Sequence, residues 1–295
     1  MGKINTVLLV VNPISGAIDK AELIEEIKLK AVQNAVSLIL FSTTGENDKL
    51  KLEKLIAEKD PCRIVVAGGD GTIKLVAEAL GNKKTPIGII PAGSSNGLSY
   101  NLHLPATLEE QITTAFNGEV IDMDIISING DYCLHMSDFG VNAELISRYE
   151  KSRIRGKLGY LLQTLPTLVT SDYPFKFTIE ANGRTFETEG ILLAIANASS
   201  YGTGAKVNPK GKINDGVFEI LIYKEFDFIE ILKTLRNEVD PDPEVVEVIT
   251  ATEAKITCDP AVAFQIDGEY LGRKNSIEVT ILPKKTRIVA PIRHL

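Results

Sequence analysis

The hydrophobic pattern changes character once along this chain, near Ile121. Before that point, short unbroken apolar runs alternate with stretches in which apolar residues recur every three or four positions. The runs are Thr6 to Val11, Val36 to Phe41, Arg63 to Ala67 and Ile87 to Ile90. Rich in β-branched residues, they predict strands buried on both faces. Between them, Leu23, Ile27, Ala31 and Ala35 repeat at helical spacing, and Leu52, Leu55 and Ile56 mark a second helix. Ile73, Val76, Ala77 and Leu80 line one face of a third, which Gly81 closes as a C-cap. Strand–helix alternation predicts a parallel sheet with helices on both faces.

Beyond Ile121 the texture is that of short strands divided by turn signals. Asn129-Gly130 and Asn182-Gly183 predict hairpin turns. Val217 to Tyr223, Glu244 to Ile249, Lys255 to Thr257 and Ser276 to Leu282 read as strands; only Ala143 to Tyr149 and Gly159 to Leu168 read as helical. The expectation is an α/β nucleotide-binding domain over residues 1–122. A mainly antiparallel β-sandwich follows over 123–285, and residues 286–295 form a strand returning to the first domain.

Composition narrows the class. A length of 295 residues with 44% apolar and 24% charged residues suits a soluble globular protein of one large or two modest domains. The longest apolar runs, such as Ile191 to Ala196, are too short to span a bilayer, and no basic-then-apolar leader opens the chain, so a cytoplasmic protein is expected. Cys62, Cys133 and Cys258 are odd in number and widely spaced, which predicts reduced core cysteines and neither disulfides nor a zinc site. The net charge of −7 argues against nucleic acid as a partner.

The candidate chemistry sits in the loops that follow the first four strands. Gly68-Gly69-Asp70-Gly71-Thr72 joins a buried strand to a helix. Its glycines permit close backbone approach, and the helix N-terminus attracts anions. It reads as a phosphate cradle with a metal-binding Asp70, or as a plain strand–helix turn capped by Asp70 or Thr72. Asn12-Pro13-Ile14-Ser15-Gly16 can turn amides toward an anion, or simply connect a strand to a helix. Ser42-Thr43-Thr44-Gly45 and Pro91-Ala92-Gly93-Ser94-Ser95-Asn96-Gly97 end the other two strands. In a parallel sheet, ligands bind beyond the carboxyl ends of the strands, so the four loops belong on one edge.

These segments, with Asn214-Asp215-Gly216 and Asp267-Gly268-Glu269, resemble the diacylglycerol kinase catalytic-domain family, which includes bacterial lipid kinases and sphingosine kinases. The Gly-rich loop alone is shared with NAD kinases and 6-phosphofructokinases; the set in this order covers nearly the whole chain. The resemblance implies ATP held by Asn12, Pro13, Ser15, Gly16, Thr43, Gly68, Gly69, Asp70, Gly71, Thr72, Ser94 and Asn96, with Mg²⁺ at Asp70. It implies a general base at Glu269, Asp267 or Asp70, although Asp-Gly-Glu by itself is also a hairpin turn. It further implies a structural Mg²⁺ at Lys212, Asp215 and Val217, where an ordinary Asp-Gly turn is the alternative. Gly97 replaces an Asp common in bacterial members, and Phe139-Gly140-Val141-Asn142-Ala143-Glu144 is similar to the sphingosine kinase segment, which implies that Glu144 reads the lipid head group and leans the acceptor toward a long-chain amino alcohol instead of diacylglycerol.

The expected activity is therefore ATP- and Mg²⁺-dependent phosphorylation of a lipid hydroxyl, on diacylglycerol or a sphingosine-like long-chain base. An NAD kinase and a non-catalytic nucleotide- or lipid-binding regulator are the alternatives. The basic run Arg148, Lys151, Arg153, Arg155 and Lys157 reads as a solvated helix end or a site of transient docking on an anionic membrane. Exposed sandwich edges admit a homodimer.

Overall fold

A computed structural model of the chain describes residues 5–16, 19–93, 96–140, 143–144, 174–201, 205–206, 208, 210–224 and 245–292. It divides into two compact units, one of Met1–Met123 with Lys284–Leu295 and one of Asp124–Pro283.

In the first unit the chain runs β1 (Thr6–Val11), α1 (Lys20–Gln33), β2 (Ser37–Ser42), α2 (Asp48–Lys59), β3 (Arg63–Gly68), α3 (Asp70–Leu80), β4 (Ile87–Pro91), α4 (Gly97–Asn101) and α5 (Leu108–Asn117). The strands pair in parallel in the order β4-β3-β1-β2. Side chains alternate across the sheet. Val7, Leu9, Val11, Val65, Ala67 and Ile90 pack with Leu23, Ile27 and Ala31 of α1 and with Ile112, Ala115 and Phe116 of α5. The intervening Leu8, Val10, Ile64 and Val66 are fully buried as well, so β1 and β3 are covered on both faces. α2 and α3 bury Leu52, Ile56, Ile73, Val76, Ala77 and Leu80.

Local chemistry sets the helix ends. The Asp19 carboxylate accepts the Ala21 N–H at the start of α1, and Ala35, at φ 51°, lies beyond its end. Gly88 lets α5 sit directly on β4, because a Cβ there would lie 2.4 Å from the Ala115 carbonyl oxygen.

The second unit is built from antiparallel pairs. β5 (Glu119–Ile128), which enters from the first unit, β6 (Asp131–Cys133), β7 (Met136–Gly140), β8 (Phe175–Ala181), β9 (Arg184–Gly190) and β10 (Leu192–Ala196) come first. The short β11 (Ser200–Tyr201) and β12 (Ala205–Lys206), then β13 (Phe218–Tyr223), β14 (Val246–Ala251), β15 (Glu253–Ile266) and β16 (Glu269–Ala290), complete the order. β14-β13-β10-β7 pair in sequence, and β15 serves two sets of partners. Ala254 to Cys258 pair with β8, and Phe264 to Ile266 pair with β7, after a register shift between Thr257 and Val262. That irregularity turns the strand from one layer of the sandwich to the other. Phe139, Phe177, Phe218 and Phe264 fill the core between the layers, with Phe139 and Phe264 ring centres 4.7 Å apart.

Asn129-Gly130 and Asn182-Gly183 both take positive φ and close two-residue hairpins. β16 ends in the first unit, where Ile288 pairs in parallel with Ile87 of β4.

One expectation is corrected. Cys133 and Cys258 are buried, but Cys62 is exposed, because it lies in the turn between α2 and β3 and not in the strand. Of the helical stretch expected over 143–149 only 143–144 are described; the rest of it, the stretch expected over 159–168 and the basic run at 148–157 lie outside the described residues.

Candidate active site

β1 and β3 are neighbours, but the chain leaves them toward opposite sides of the sheet, β1 to β2 and β3 to β4. Their carboxyl ends therefore flank a topological switch point, where loops splay apart and admit a ligand. The Asn12 N–H donates to the Ala67 carbonyl at 3.2 Å and the Ala92 N–H to the Gly68 carbonyl at 3.0 Å, which fixes three of the loops on this edge. Thr43 joins them through its N–H to the Val11 carbonyl at 2.9 Å.

The loops then meet backbone to backbone. Gly16 has φ +59°, and a Cβ on it would lie 2.6 Å from the Ala92 oxygen. A Cβ on Gly93 would lie 2.4 Å from the Gly69 Cα. The single Ser15 hydroxyl proton is shared between the carbonyls of Asn12 at 2.9 Å and Ala92 at 3.0 Å. The Asn96 side chain clasps Gly93 from both sides, accepting its N–H at 3.0 Å and donating to its carbonyl at 3.1 Å. Asn12, Pro13, Ser15, Gly16, Thr43, Gly68, Gly69, Asp70, Gly71, Thr72 and Asn96 thus share one edge; Ser94 lies outside the described residues. Gly69 is the N-cap of α3 and supplies no side-chain acceptor, so the first amides of the helix receive none from their own cap, and a helix N-terminus of this kind suits an anion.

Asp70 is 6% exposed, and its carboxylate first of all caps α4. The Gly97 N–H donates to Oδ2 at 2.8 Å and the Leu98 N–H to Oδ1 at 3.2 Å. Neither Asp70 nor Thr72 is the N-cap of its own helix.

In the second unit, Asp267 and Gly268 form the two-residue turn between β15 and β16, both at positive φ, with Ile266 opposite Glu269. The Asp267 carboxylate lies in a nest of amides. It accepts the N–H groups of Leu134 at 2.7 Å, His135 at 3.1 Å and Met136 at 3.3 Å, and the His135 ring lies 3.6 Å away. Glu269 is exposed. Gln265, fully buried, holds the same turn from inside: its Oε1 accepts the Gly268 N–H at 2.7 Å while its Nε2 donates to the buried Asp138 carboxylate.

Residues 212–217 form a loop folded on Asp124. Its carboxylate accepts the Gly216 N–H at 2.6 Å, and its own N–H donates to the Ile213 carbonyl at 2.7 Å. Asp215 is exposed, and its Oδ1 lies 3.4 Å from the Val217 nitrogen. Nearby Glu219 has a carboxyl pushed up by burial, pulled part of the way back by the Asn208 amide 2.7 Å away, and pushed up again by the charge of Asp215. This excess of negative charge beside Asp215, with backbone carbonyls at hand, suits a hard cation such as Mg²⁺. Among the described residues no group of three or more His, Cys, Asp or Glu converges on a metal position, so carbonyls would have to complete any such shell. Glu144 is mostly buried and lies 3.5 Å from the Arg273 guanidinium.

Sequence reasoning missed Lys20, Asp124, His135 and Gln265. A polar residue inside an apolar strand, as in Met123-Asp124-Ile125 and Phe264-Gln265-Ile266, was the only signal available.

Residues 6–128 match the model of the diacylglycerol kinase catalytic domain, and residues 136–290 that of the YegS C-terminal NAD kinase beta sandwich-like domain. A diacylglycerol kinase of Bacillus subtilis is 27% identical over 278 residues, covering 90% of this chain and 89% of that one. A protein of Escherichia fergusonii named probable lipid kinase YegS is 29% identical over 236 residues, 77% of this chain and 78% of its own. A crystal structure titled as a diacylglycerol kinase of Bacillus anthracis has the same fold, with a TM-score of 0.76, 20% identity and 99% of both chains covered.

Proposed function

This chain belongs to the diacylglycerol kinase catalytic-domain family, and on that premise we propose that it transfers the γ-phosphate of ATP to a hydroxyl of a membrane lipid. The observation that carries the proposal is the convergence of the glycine-rich loops after β1, β3 and β4 at the switch point, beside the N-terminus of α3, whose Gly69 cap supplies no side-chain acceptor. Phosphoryl transfer needs oriented amides more than covalent chemistry. Backbone amides of Gly16, Gly69 and Gly71 would face the polyphosphate, since those of Ser15 and Thr72 donate to the Asn12 and Gly69 carbonyls, with Asp70 holding both the α4 end and a Mg²⁺ ion. When bound, Mg²⁺ would neutralise charge on the phosphates.

Glu269 is the better general base. The Asp267 oxygens already accept three backbone amides, which hold the carboxylate in place and turn its lone pairs away from an acceptor hydroxyl. Exposed Glu269 follows directly on that fixed turn. Diacylglycerol is favoured as acceptor over a long-chain base. Glu144 already has a guanidinium partner, and the Bacillus subtilis relative carries the diacylglycerol kinase name. Access to such a lipid would be peripheral in this reading; among the described residues no helix is long and apolar enough to cross a membrane.

The test is transfer of labelled γ-phosphate from ATP, with Mg²⁺, to vesicles containing diacylglycerol, sphingosine, ceramide or phosphatidylglycerol, and to NAD. Labelling of diacylglycerol is expected, together with its loss in Asp70→Asn at unchanged circular dichroism. Labelling of NAD alone overturns the proposal. ATP binding without transfer to any acceptor would favour a non-catalytic regulator.

A further inference from the structure

Lys20, the first residue of α1, reaches back over the loop that precedes it. Its ammonium donates to the Ser15 carbonyl at 2.7 Å and the Ala92 carbonyl at 3.1 Å, so one charge bridges the loops after β1 and β4. The same Ala92 oxygen lies 3.0 Å from the Ser15 hydroxyl, whose single proton it shares with the Asn12 carbonyl. Burial pulls the ammonium pKa below its ordinary value, as expected of a charge drawn partly out of water.

Two consequences follow from elementary geometry. First, a trans peptide holds C=O and N–H antiparallel, so turning the Ser15 carbonyl toward Lys20 turns the Gly16 N–H away from it. The Ala92 carbonyl orients the Gly93 N–H in the same way, and that N–H meets Asn96 Oδ1 at 3.0 Å. Second, two carbonyl oxygens converging beside an anion site would repel the anion. The ammonium between them reverses the sign of the local potential, and charge-assisted hydrogen bonds hold it there.

We propose that Lys20 is a positioning residue for the nucleotide polyphosphate: it sets the peptide planes of the Ser15–Gly16 and Ala92–Gly93 loops and makes their junction electropositive. The proposal rests on the ATP-binding reading of these loops. It acts through the loops, so it predicts an effect that grows with the number of phosphates.

The experiment is calorimetric titration of the full chain with ATP, ADP and adenosine in Mg²⁺, for the unsubstituted protein, Lys20→Met and Lys20→Arg, with melting temperatures recorded alongside. Lys20→Met is expected to weaken ATP binding at least about tenfold, ADP less and adenosine within about twofold. Lys20→Arg, which keeps the charge, is expected to recover most of the ATP affinity. With a lipid acceptor, KM for ATP should rise while kcat changes within about threefold. If Lys20→Met fails to fold, Lys20→Arg against Lys20→Gln carries the same comparison. Equal ATP binding by the charge-free variant overturns the inference, as does a parallel loss of ATP and adenosine, which would make Lys20 a brace without a role toward phosphate. Absence of ATP binding by the unsubstituted chain overturns the function reading as well, and so is distinguishable from failure of this inference alone.

Discussion

Asp267 and Glu269 are two residues apart, yet their surroundings give them different work. Asp267 accepts three backbone amides at 2.7 to 3.3 Å. In Asp267→Asn an amide NH₂ must face at least one of those N–H donors, which should cost about 2–3 kcal/mol. Glu269→Gln changes an exposed side chain and should shift stability by no more than about 0.5 kcal/mol. If Glu269 is the base, its loss should lower the transfer rate about 10²- to 10⁴-fold. Melting temperatures and initial rates of the two variants check this. A stable, inactive Asp267→Asn beside an active Glu269→Gln would move the base to Asp267.

At the scale of elements, the loop before α2 shows how a short motif fixes a helix start. Asp48 accepts the N–H groups of Thr44 and Gly45 at 2.9 and 2.7 Å and the Thr44 hydroxyl at 2.9 Å. Burial pushes its carboxyl up, but these hydrogen bonds and the charge of Lys51 outweigh it, and the net pKa lies below the ordinary Asp value. A depressed folded pKa gives stability that is present above the unfolded value, about 3.9, and lost as pH falls through the folded one. Asp48→Ala should therefore be about 1–2 kcal/mol less stable at pH 7. The gap to the unsubstituted protein should narrow below about pH 4. Urea titrations at pH 7, 4 and 3 measure it, and a constant gap would refute the sign.

The first unit is discontinuous: residues Lys284–Leu295 belong with Met1–Met123. Thr286, Ile288 and Val289 are buried there, and Ile288 pairs with Ile87. Fully burying Ile or Val is worth about 1.5–3 kcal/mol each. Removing both thus forfeits about 3–6 kcal/mol, a large fraction of the stability of a small domain, about 5–15 kcal/mol. A chain ending at Pro283 should lose hydrogen-exchange protection in β3 and β4 while the core strands β7, β10 and β13 keep theirs. Unchanged protection in β4 would show that the tail only rests on the unit.

Period alone separated the two halves: helical spacing in Ile73, Val76, Ala77 and Leu80, and hairpin signals at Asn129-Gly130 and Asn182-Gly183, are local and so are written in the sequence. The glycine-rich loops were visible for the same reason. What only the tertiary structure decided is contact between residues far apart in the chain. Ser15 and Lys20 meet Ala92, 77 and 72 residues away, and Asp267 meets the amides of residues 134–136 across more than 130. Such pairs leave no periodicity, because neither partner constrains its own neighbours. Cys62 shows the converse, an apolar-looking position whose exposure depends on which side of a strand boundary it falls. The period of the side chains could set the layers, but hydrogen bonding between loops decided which groups the site presents, since only folding brings their carbonyls and amides within 3 Å or so of one another.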